Sequence, residues 1–177
     1  MNEKDTSLAI NYDYSLEINT TPKADEPTWA VVGDGFDNLS KSLNEVLYQG
    51  SYLGDGGWGS TEVTGGQMTF TLSGVRKHGD PAQDYIFSDA VKHNWGMARK
   101  TQFRITDPGG GIIQGRITLA KITEGGGASQ SADAVTVEIH FNGKPEYTPA
   151  ETNEEETPAE DETVTGDENG DTGETTT

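Results

Sequence analysis

The sequence contains no cysteine, which excludes disulfide bonds, thiolate metal sites and a cysteine nucleophile. It has only 12 Lys and Arg against 30 Asp and Glu, a formal charge of −18. This balance argues against a nucleic-acid binder that is held by phosphate contacts. No apolar run approaches the roughly 20 residues that a membrane-spanning helix needs, and the polar segment Met1–Asp5 lacks the apolar stretch of a secretory signal. We therefore expect a soluble protein that is made in the cytoplasm.

The shortage of apolar residues is concentrated at the C-terminus. From Thr148 onward the chain has 11 acidic residues and no basic ones, and only Ala150, Ala159 and Val164 are apolar. A segment of this composition cannot bury enough surface to offset its ordering entropy. The prediction is one domain over residues 1–147, followed by a disordered acidic tail over residues 148–177.

Alternation of apolar and polar residues dominates the domain, which is typical of strands with one buried face. It predicts strands over residues 68–77, 101–106, 116–123 and 134–141, and a half-buried strand or a long extended arm over residues 8–18. Glycine-rich turns follow two of these strands and supply the positive-φ positions that hairpins need. The chain is therefore mainly β.

One segment departs from the alternation. Asp80 is a candidate helix N-cap, Pro81 suits the first helical position, and Gln83 stands where a capping box needs it. A helix is predicted from Pro81 to about His93, with an inner face formed by Tyr85, Ile86 and Ala90. Many short strands and one helix predict a β-sandwich or barrel with a single flanking α-helix.

Residues 49–66 form a glycine-rich segment that carries large apolar side chains, namely Tyr52, Leu53 and Trp58. One interpretation is a long hairpin whose aromatic side chains fold back on the body. The other is a projecting loop that buries these side chains in another subunit, because exposed apolar clusters usually mark contact surfaces.

No catalytic arrangement is recognisable in the sequence. The histidines, His78, His93 and His140, lie in unrelated segments, and residues 33–37 lack the alternating oxygen ligands of a calcium-binding loop. No phosphate-binding Gly-Lys-Ser or Gly-Lys-Thr motif occurs. Paired carboxylates carry no weight in so acidic a chain. We therefore predict no enzymatic activity, no cofactor and no metal site.

Three stretches in this order, Trp29–Phe36, Gly79–Ile86 and Phe141–Glu146, resemble the major tail (tail tube) proteins of long, non-contractile-tailed bacteriophages. The similarity covers roughly residues 6–150. It implies two packed β-sheets flanked by a helix, with six copies forming a ring and rings stacking into a tube through which DNA passes during ejection. It also implies a location in the virion tail, with the tape measure, tail terminator and distal tail proteins as further partners.

Physical arguments extend this resemblance to particular residues. A conduit should not hold DNA, so a lumen lined by hydroxyl and acidic side chains is expected, and the lumen-facing candidates are Thr69, Thr71 and Ser73. The inter-subunit contacts are predicted at Tyr52, Leu53 and Trp58, which supply large apolar anchors, with the N-terminal segment as a further ring-to-ring contact. The acidic tail should project outward, because burying its charges in an interface is costly.

Two alternatives remain open at this point. A capsid or tail decoration module would also be β-rich and acidic, but it should not polymerise by itself. A carbohydrate-binding β-sandwich could use Trp29, Trp58 and Trp95 as sugar-stacking groups. The sequence does not decide which sheet faces the lumen, or whether a sheath surrounds the tube.

Overall fold

The computed structural model of the chain describes residues 10–150. The predicted tail from residue 151 onward and the first residues of the predicted N-terminal strand lie outside this range. The strands are β1 (Ser15–Asn19), β2 (Trp29–Val31), β3 (Phe36–Ser42), β4 (Val46–Gly50), β5 (Ser60–Gly65), β6 (Thr69–Val75), β7 (Lys100–Thr106), β8 (Ile112–Glu124), β9 (Ala134–Phe141) and β10 (Glu146–Thr148). The helices are α1 (Pro81–Ile86) and α2 (Asp89–Lys92), with 3₁₀ turns at Asn11–Asp13, Leu53–Asp55 and Gly96–Arg99. The predicted mainly β class is confirmed.

Eight of the strands form one antiparallel sheet, in the order β2-β1-β7-β8-β9-β6-β3, with β10 also paired to β8. The long strand β8 joins two halves of this sheet. Its residues 112–118 pair with β7, and its residues 117–124 pair with β9. We call β2, β1, β7 and the start of β8 the first half-sheet, and the end of β8, β9, β6 and β3 the second half-sheet. The layers of the predicted sandwich are thus parts of one curled sheet.

The core lies where the two half-sheets face each other. Phe103 of β7 packs against Phe70 of β6 and Phe141 of β9, with ring centroids 6.2 and 6.3 Å apart. Since two strands separate β7 from β6 in the sheet, the Phe103–Phe70 contact crosses the sandwich, and Phe141 lies beside both rings. The other large buried side chains of the core alternate along the strands, as the sequence pattern predicts: Leu16, Ile18, Leu72, Ile105, Ile117, Leu119, Val135, Val137 and Ile139.

The start of the predicted helix is confirmed, but its side-chain network differs. Asp80 Oδ1 accepts a hydrogen bond from the Gln83 backbone N–H at 2.7 Å. The Gln83 side chain does not complete a capping box. It is fully buried and donates to the carbonyls of Asp34 and Val75, at 2.7 and 3.1 Å, while its oxygen accepts from the Lys77 N–H at 2.8 Å. Gln83 therefore ties α1 to the end of β6 and to the link between β2 and β3.

The helical segment is interrupted rather than continuous. The Ser88 hydroxyl donates to the Tyr85 carbonyl at 2.8 Å, and Ser88 itself has extended backbone angles. Serine bonds of this kind compete with helical hydrogen bonds, so two short helices replace the single predicted one. The break also changes the inner face: Ile86 is buried as predicted, whereas Ala90 is exposed and Val91 is buried in its place.

The first predicted strand is shorter than its alternation suggests. Within the described residues it begins only at Ser15, since Asn11–Asp13 forms a 3₁₀ turn. Leu16 and Ile18 are buried as expected and Tyr14 packs half-buried against the core, whereas Ile10 and Tyr12 are 41% and 80% exposed. The core therefore does not cover the first residues of the described pattern. The prediction of a strand before Ser15 is wrong for residues 10–14.

Strands β4 and β5 form a separate two-stranded hairpin that leaves the body between β3 and β6. Every residue of this hairpin is exposed except Gly50, which is half-buried. Its side chains therefore do not fold back on the body.

Among residues 10–150, no helix is both long enough and apolar enough to span a membrane.

Candidate assembly surfaces

The outer side of the second half-sheet is a polar face. Phe70 and Leu72 point into the core, so alternation places Thr69, Thr71 and Ser73 on the opposite side of β6. Strand pairing puts further polar residues beside them: Asn38, Ser40 and Ser42 of β3, Thr136, Glu138 and His140 of β9, and Thr118 of β8. The three lumen-facing candidates from the sequence thus share one face, which is rich in hydroxyl groups.

The three candidates differ in exposure. Thr71 and Ser73 are half-buried, whereas Thr69 is only 7% exposed. Asn44, at the base of the hairpin, covers Thr69 and donates from Nδ2 to the Thr69 hydroxyl at 2.8 Å. Thr71 and Ser73 are therefore the members of this group that the polar face offers to its surroundings.

Sequence reasoning missed most of the remaining polar face. The alternation over residues 134–141 contains Thr136 and Glu138 on its polar phase, so it could have identified them. Strand β3 has only Phe36 and Leu39 as apolar residues, and its pattern is too weak to predict a strand.

The charged groups of the polar face are connected to one another. Lys121 Nζ donates to Glu138 Oε1 at 2.8 Å, and His140 Nε2 lies 2.8 Å from Glu138 Oε2. The hydrogen bond from Lys121, followed by that from His140, lowers the pKa of Glu138 below its usual value. Lys121 has a positive φ of 44° and lies in the irregularity where the pairing of β8 and β9 shifts register. A single carboxylate therefore engages both basic side chains of this face.

Both edges of the second half-sheet lack a strand partner within residues 10–150. Strand β3 pairs only with β6. On the other side, residues 119–124 of β8 pair with β9 alone. The end of this segment is partly covered, because Lys92 of α2 forms a 2.7 Å ion pair with Glu124. Unpaired edges present backbone groups that can extend a sheet with another chain. The edge of β3 is the more open of the two.

The hairpin exposes an apolar surface. Tyr52, Leu53 and Trp58, the predicted contact residues, are 61%, 108% and 82% exposed and lie at or beside its tip. Val46, Leu47, Tyr48 and Val63 add exposed apolar area along the stem. A two-stranded hairpin without a packed face is marginally stable in water. The tip is ordered by local bonds, including one from the Tyr52 N–H to Asp55 Oδ2 at 2.9 Å.

The histidines, carboxylates and tryptophans considered for metal or sugar binding do not gather into one site within residues 10–150. Within the part of the chain that is described, no group of three or more His, Asp or Glu side chains could hold a metal ion. The three tryptophans lie on different elements. Arg104 lies over the ring of Trp29 in β2, and Arg99 lies over the ring of Trp95. The distances from the Arg Cζ atom to the ring centroid are 4.4 and 4.9 Å. Trp58 lies at the hairpin tip.

Comparison with known proteins gives a match in structure only. No protein-family model matches the chain, and no curated protein matches it. A chain from the tail of an empty GTA particle with C6 symmetry superposes with a TM-score of 0.60 at 18% identity, covering 80% of this chain and 99% of that one. The chain shares the fold of this tail protein. A chain from the virion of a native gene transfer agent (GTA) particle gives a TM-score of 0.59 with the same identity and coverage.

Proposed function

We propose that the chain is a structural subunit of a tail tube, in which copies form rings and the rings stack around a conduit for DNA. The observation that carries this proposal is the combination of an open-edged, polar second half-sheet with an uncovered apolar hairpin. The shared fold with a protein of a C6-symmetric particle tail supports the same assignment.

Ring closure uses the second half-sheet. Each copy contributes four strands, β8, β9, β6 and β3, and the open edge of β3 pairs with the end of β8 in the next copy. Six copies give a barrel of about 24 strands, and at about 4.8 Å per strand with a tilt near 40° its backbone diameter is roughly 48 Å. A barrel closed in this way removes the unpaired edges that are a liability in a single subunit.

The polar face lines the conduit in this arrangement. Thr71 and Ser73 offer hydroxyl groups, and Glu138 engages Lys121 and His140. Each Lys or Arg that contacts a phosphate adds affinity for DNA through counterion release. Because Glu138 engages both of these basic side chains, we expect the polar face to bind DNA weakly and to let it slide.

The hairpin connects successive rings. Its apolar side chains, among them Tyr52, Leu53 and Trp58, gain a packed environment only when another copy covers them. The subunit belongs to a virion tail, and the resemblance to tail tube proteins adds the tape measure, terminator and distal tail proteins as partners at the tube ends.

Assembly separates into two steps that one experiment can distinguish. Purified protein at increasing concentration should form rings and tubes in negative-stain electron microscopy and sedimentation velocity. Deleting residues 52–59 should leave the fold and the rings intact but abolish tubes, because this change removes Tyr52, Leu53 and Trp58 while sparing the second half-sheet. A chain that stays monomeric at every concentration, or normal tubes from the deletion variant, would contradict the proposal.

The orientation of the polar face can be tested by labelling, because the chain has no native cysteine. In tubes, Thr71→Cys should react with a small maleimide but not with a bulky polyethylene-glycol maleimide, which cannot follow the lumen. The unassembled Thr71→Cys subunit should react with both reagents. Equal reaction of the bulky reagent with tubes and with subunits would place this face outside the lumen.

A further inference from the structure

A groove of about 750 Å³ lies beside the helices, and its lining includes no residue of β3, β6, β9 or the hairpin. It is bounded by the loop after β1, by α1 and α2, and by the start of β7. Its lining includes the apolar residues Pro22, Ala90, Val91, Met97 and Ala98. Met97 is 66% exposed and Ala90 is also exposed. The groove therefore presents apolar surface that residues 10–150 do not cover.

The rim of the groove is basic. Lys23, Lys100 and Arg116 line it, against a single acid, Asp25. None of the three cations forms a salt bridge with another residue of the described range, whereas Arg76, Lys77, Lys92, Arg104 and Lys121 all do. In a chain with a formal charge of −18, a groove lined by three cations and one acid is a distinctive surface.

The hairpin has the complementary character. Between Leu43 and Met68 the sequence contains three acids, Glu45, Asp55 and Glu62, and no Lys or Arg. Leu53 at the tip is fully exposed and Trp58 nearly so. An apolar anchor flanked by acidic groups matches an apolar groove with a basic rim, and such electrostatic complementarity favours the correct pairing of surfaces.

We propose that this groove is the receptor for the hairpin tip of a second copy of the chain, with Leu53 or Trp58 against its apolar floor and Asp55 facing Lys100 and Arg116. The inference rests on the proposed tube assembly and adds the docking site to it. In this arrangement the loop of residues 20–27, which takes no part in the second half-sheet or in the hairpin, forms one wall of the docking site.

Cysteine pairs test the docking site directly in the otherwise cysteine-free full-length chain. Tubes assembled from a mixture of Leu53→Cys and Ala90→Cys subunits should form disulfide-linked dimers on mild oxidation, resolved by non-reducing electrophoresis. A mixture of Leu53→Cys and Ser131→Cys is the matched control, since Ser131 is exposed but does not line the groove, and it should give no dimers above background. The docking site is wrong if tubes form but Leu53→Cys and Ala90→Cys give no dimers, or if the Ser131→Cys mixture gives as many dimers as the Ala90→Cys mixture. Either result leaves the tube proposal intact.

A charge variant gives a second measurement that does not depend on cysteine geometry. Lys100→Glu should raise the protein concentration needed for tube formation about fivefold at low salt, the upper range for one exposed ion pair. Lys144→Glu makes the same charge change on an exposed residue outside the groove and should have a smaller effect. Equal effects of the two variants overturn the groove as the receptor, and the absence of rings and tubes from the wild-type chain overturns both proposals.

Discussion

The charge state of the polar face gives the sharpest functional prediction. Glu138→Gln keeps the size of the side chain but removes the carboxylate that holds Lys121 at 2.8 Å. Lys121 is 73% exposed at its side chain, so it becomes available to a DNA phosphate. One added phosphate contact steepens the dependence of log K on log salt by about 0.9, an additional loss of affinity of about 3.5-fold between about 50 and 200 mM salt. If three subunits of a ring each add one such contact, the additional loss of affinity over this range of salt becomes about 40-fold.

The assay is fluorescence anisotropy of a short duplex DNA bound to assembled rings over that range of salt. Glu62→Gln removes the same charge from the hairpin, away from the polar face, and serves as the matched control. The double variant Glu138→Gln with Lys121→Gln should return the salt dependence to that of the wild type. The reasoning is refuted if Glu138→Gln leaves the slope unchanged, or if the control variant shifts it as much.

Other predictions concern stability and assembly. Gln83→Met removes the side-chain partner of the Asp34 and Val75 carbonyls and of the Lys77 N–H and should lower the free energy of unfolding by about 2 kcal/mol in urea titrations. Gly74→Ala places a methyl group 2.0 Å from the Gly35 carbonyl oxygen and should cost roughly 1–3 kcal/mol in the same assay. Ion pairs with Lys92 and Arg76 lower the pKa of Glu124 from 4.5, so its stabilising contribution is present above about pH 4.5 and is lost as the pH falls through the lowered value; the urea midpoint should drop on acidification, and less so in Glu124→Gln. Truncation after Ala150 should preserve rings and tubes by electron microscopy, and their loss would show that the acidic tail is structural.

The sequence predicts those strands that have one face on the core. The clearest case is β9, whose observed bounds, Ala134–Phe141, equal the predicted range because Val135, Val137, Ile139 and Phe141 are all buried against the opposite half-sheet. The same reasoning places Thr71 and Ser73 on the opposite, polar side of their strand. Period-two burial is a local property of a strand, so it can be read without knowing the strand's neighbours.

Strands that lack a buried face cannot be predicted from alternation. Strands β4 and β5 bury none of their side chains, so nothing forces their residues to alternate. The order of the strands depends on pairings such as Ser73 with Thr136, 63 residues apart in the chain, and the open edges follow from that order. The ion pair of Lys121 with Glu138 and the convergence of Lys23, Lys100 and Arg116 on one groove likewise depend on contacts distant in sequence.

The open edge of β3 and the exposed hairpin, to which we assign assembly, both lie outside the core. Phe70, Phe103 and Phe141 pack together within a single chain, so we expect the body to fold without strands from a neighbour. The open edge of β3 and the hairpin around Leu53 are what a single copy leaves unsatisfied. Assembly should therefore begin from folded subunits and depend on their concentration, with pairing of β-strand edges and burial of apolar side chains as separate driving forces. High salt should weaken the proposed charged contact between hairpin and groove and leave the proposed backbone pairing within a ring largely unaffected, because screening acts on exposed charges and hardly on hydrogen-bonded strands.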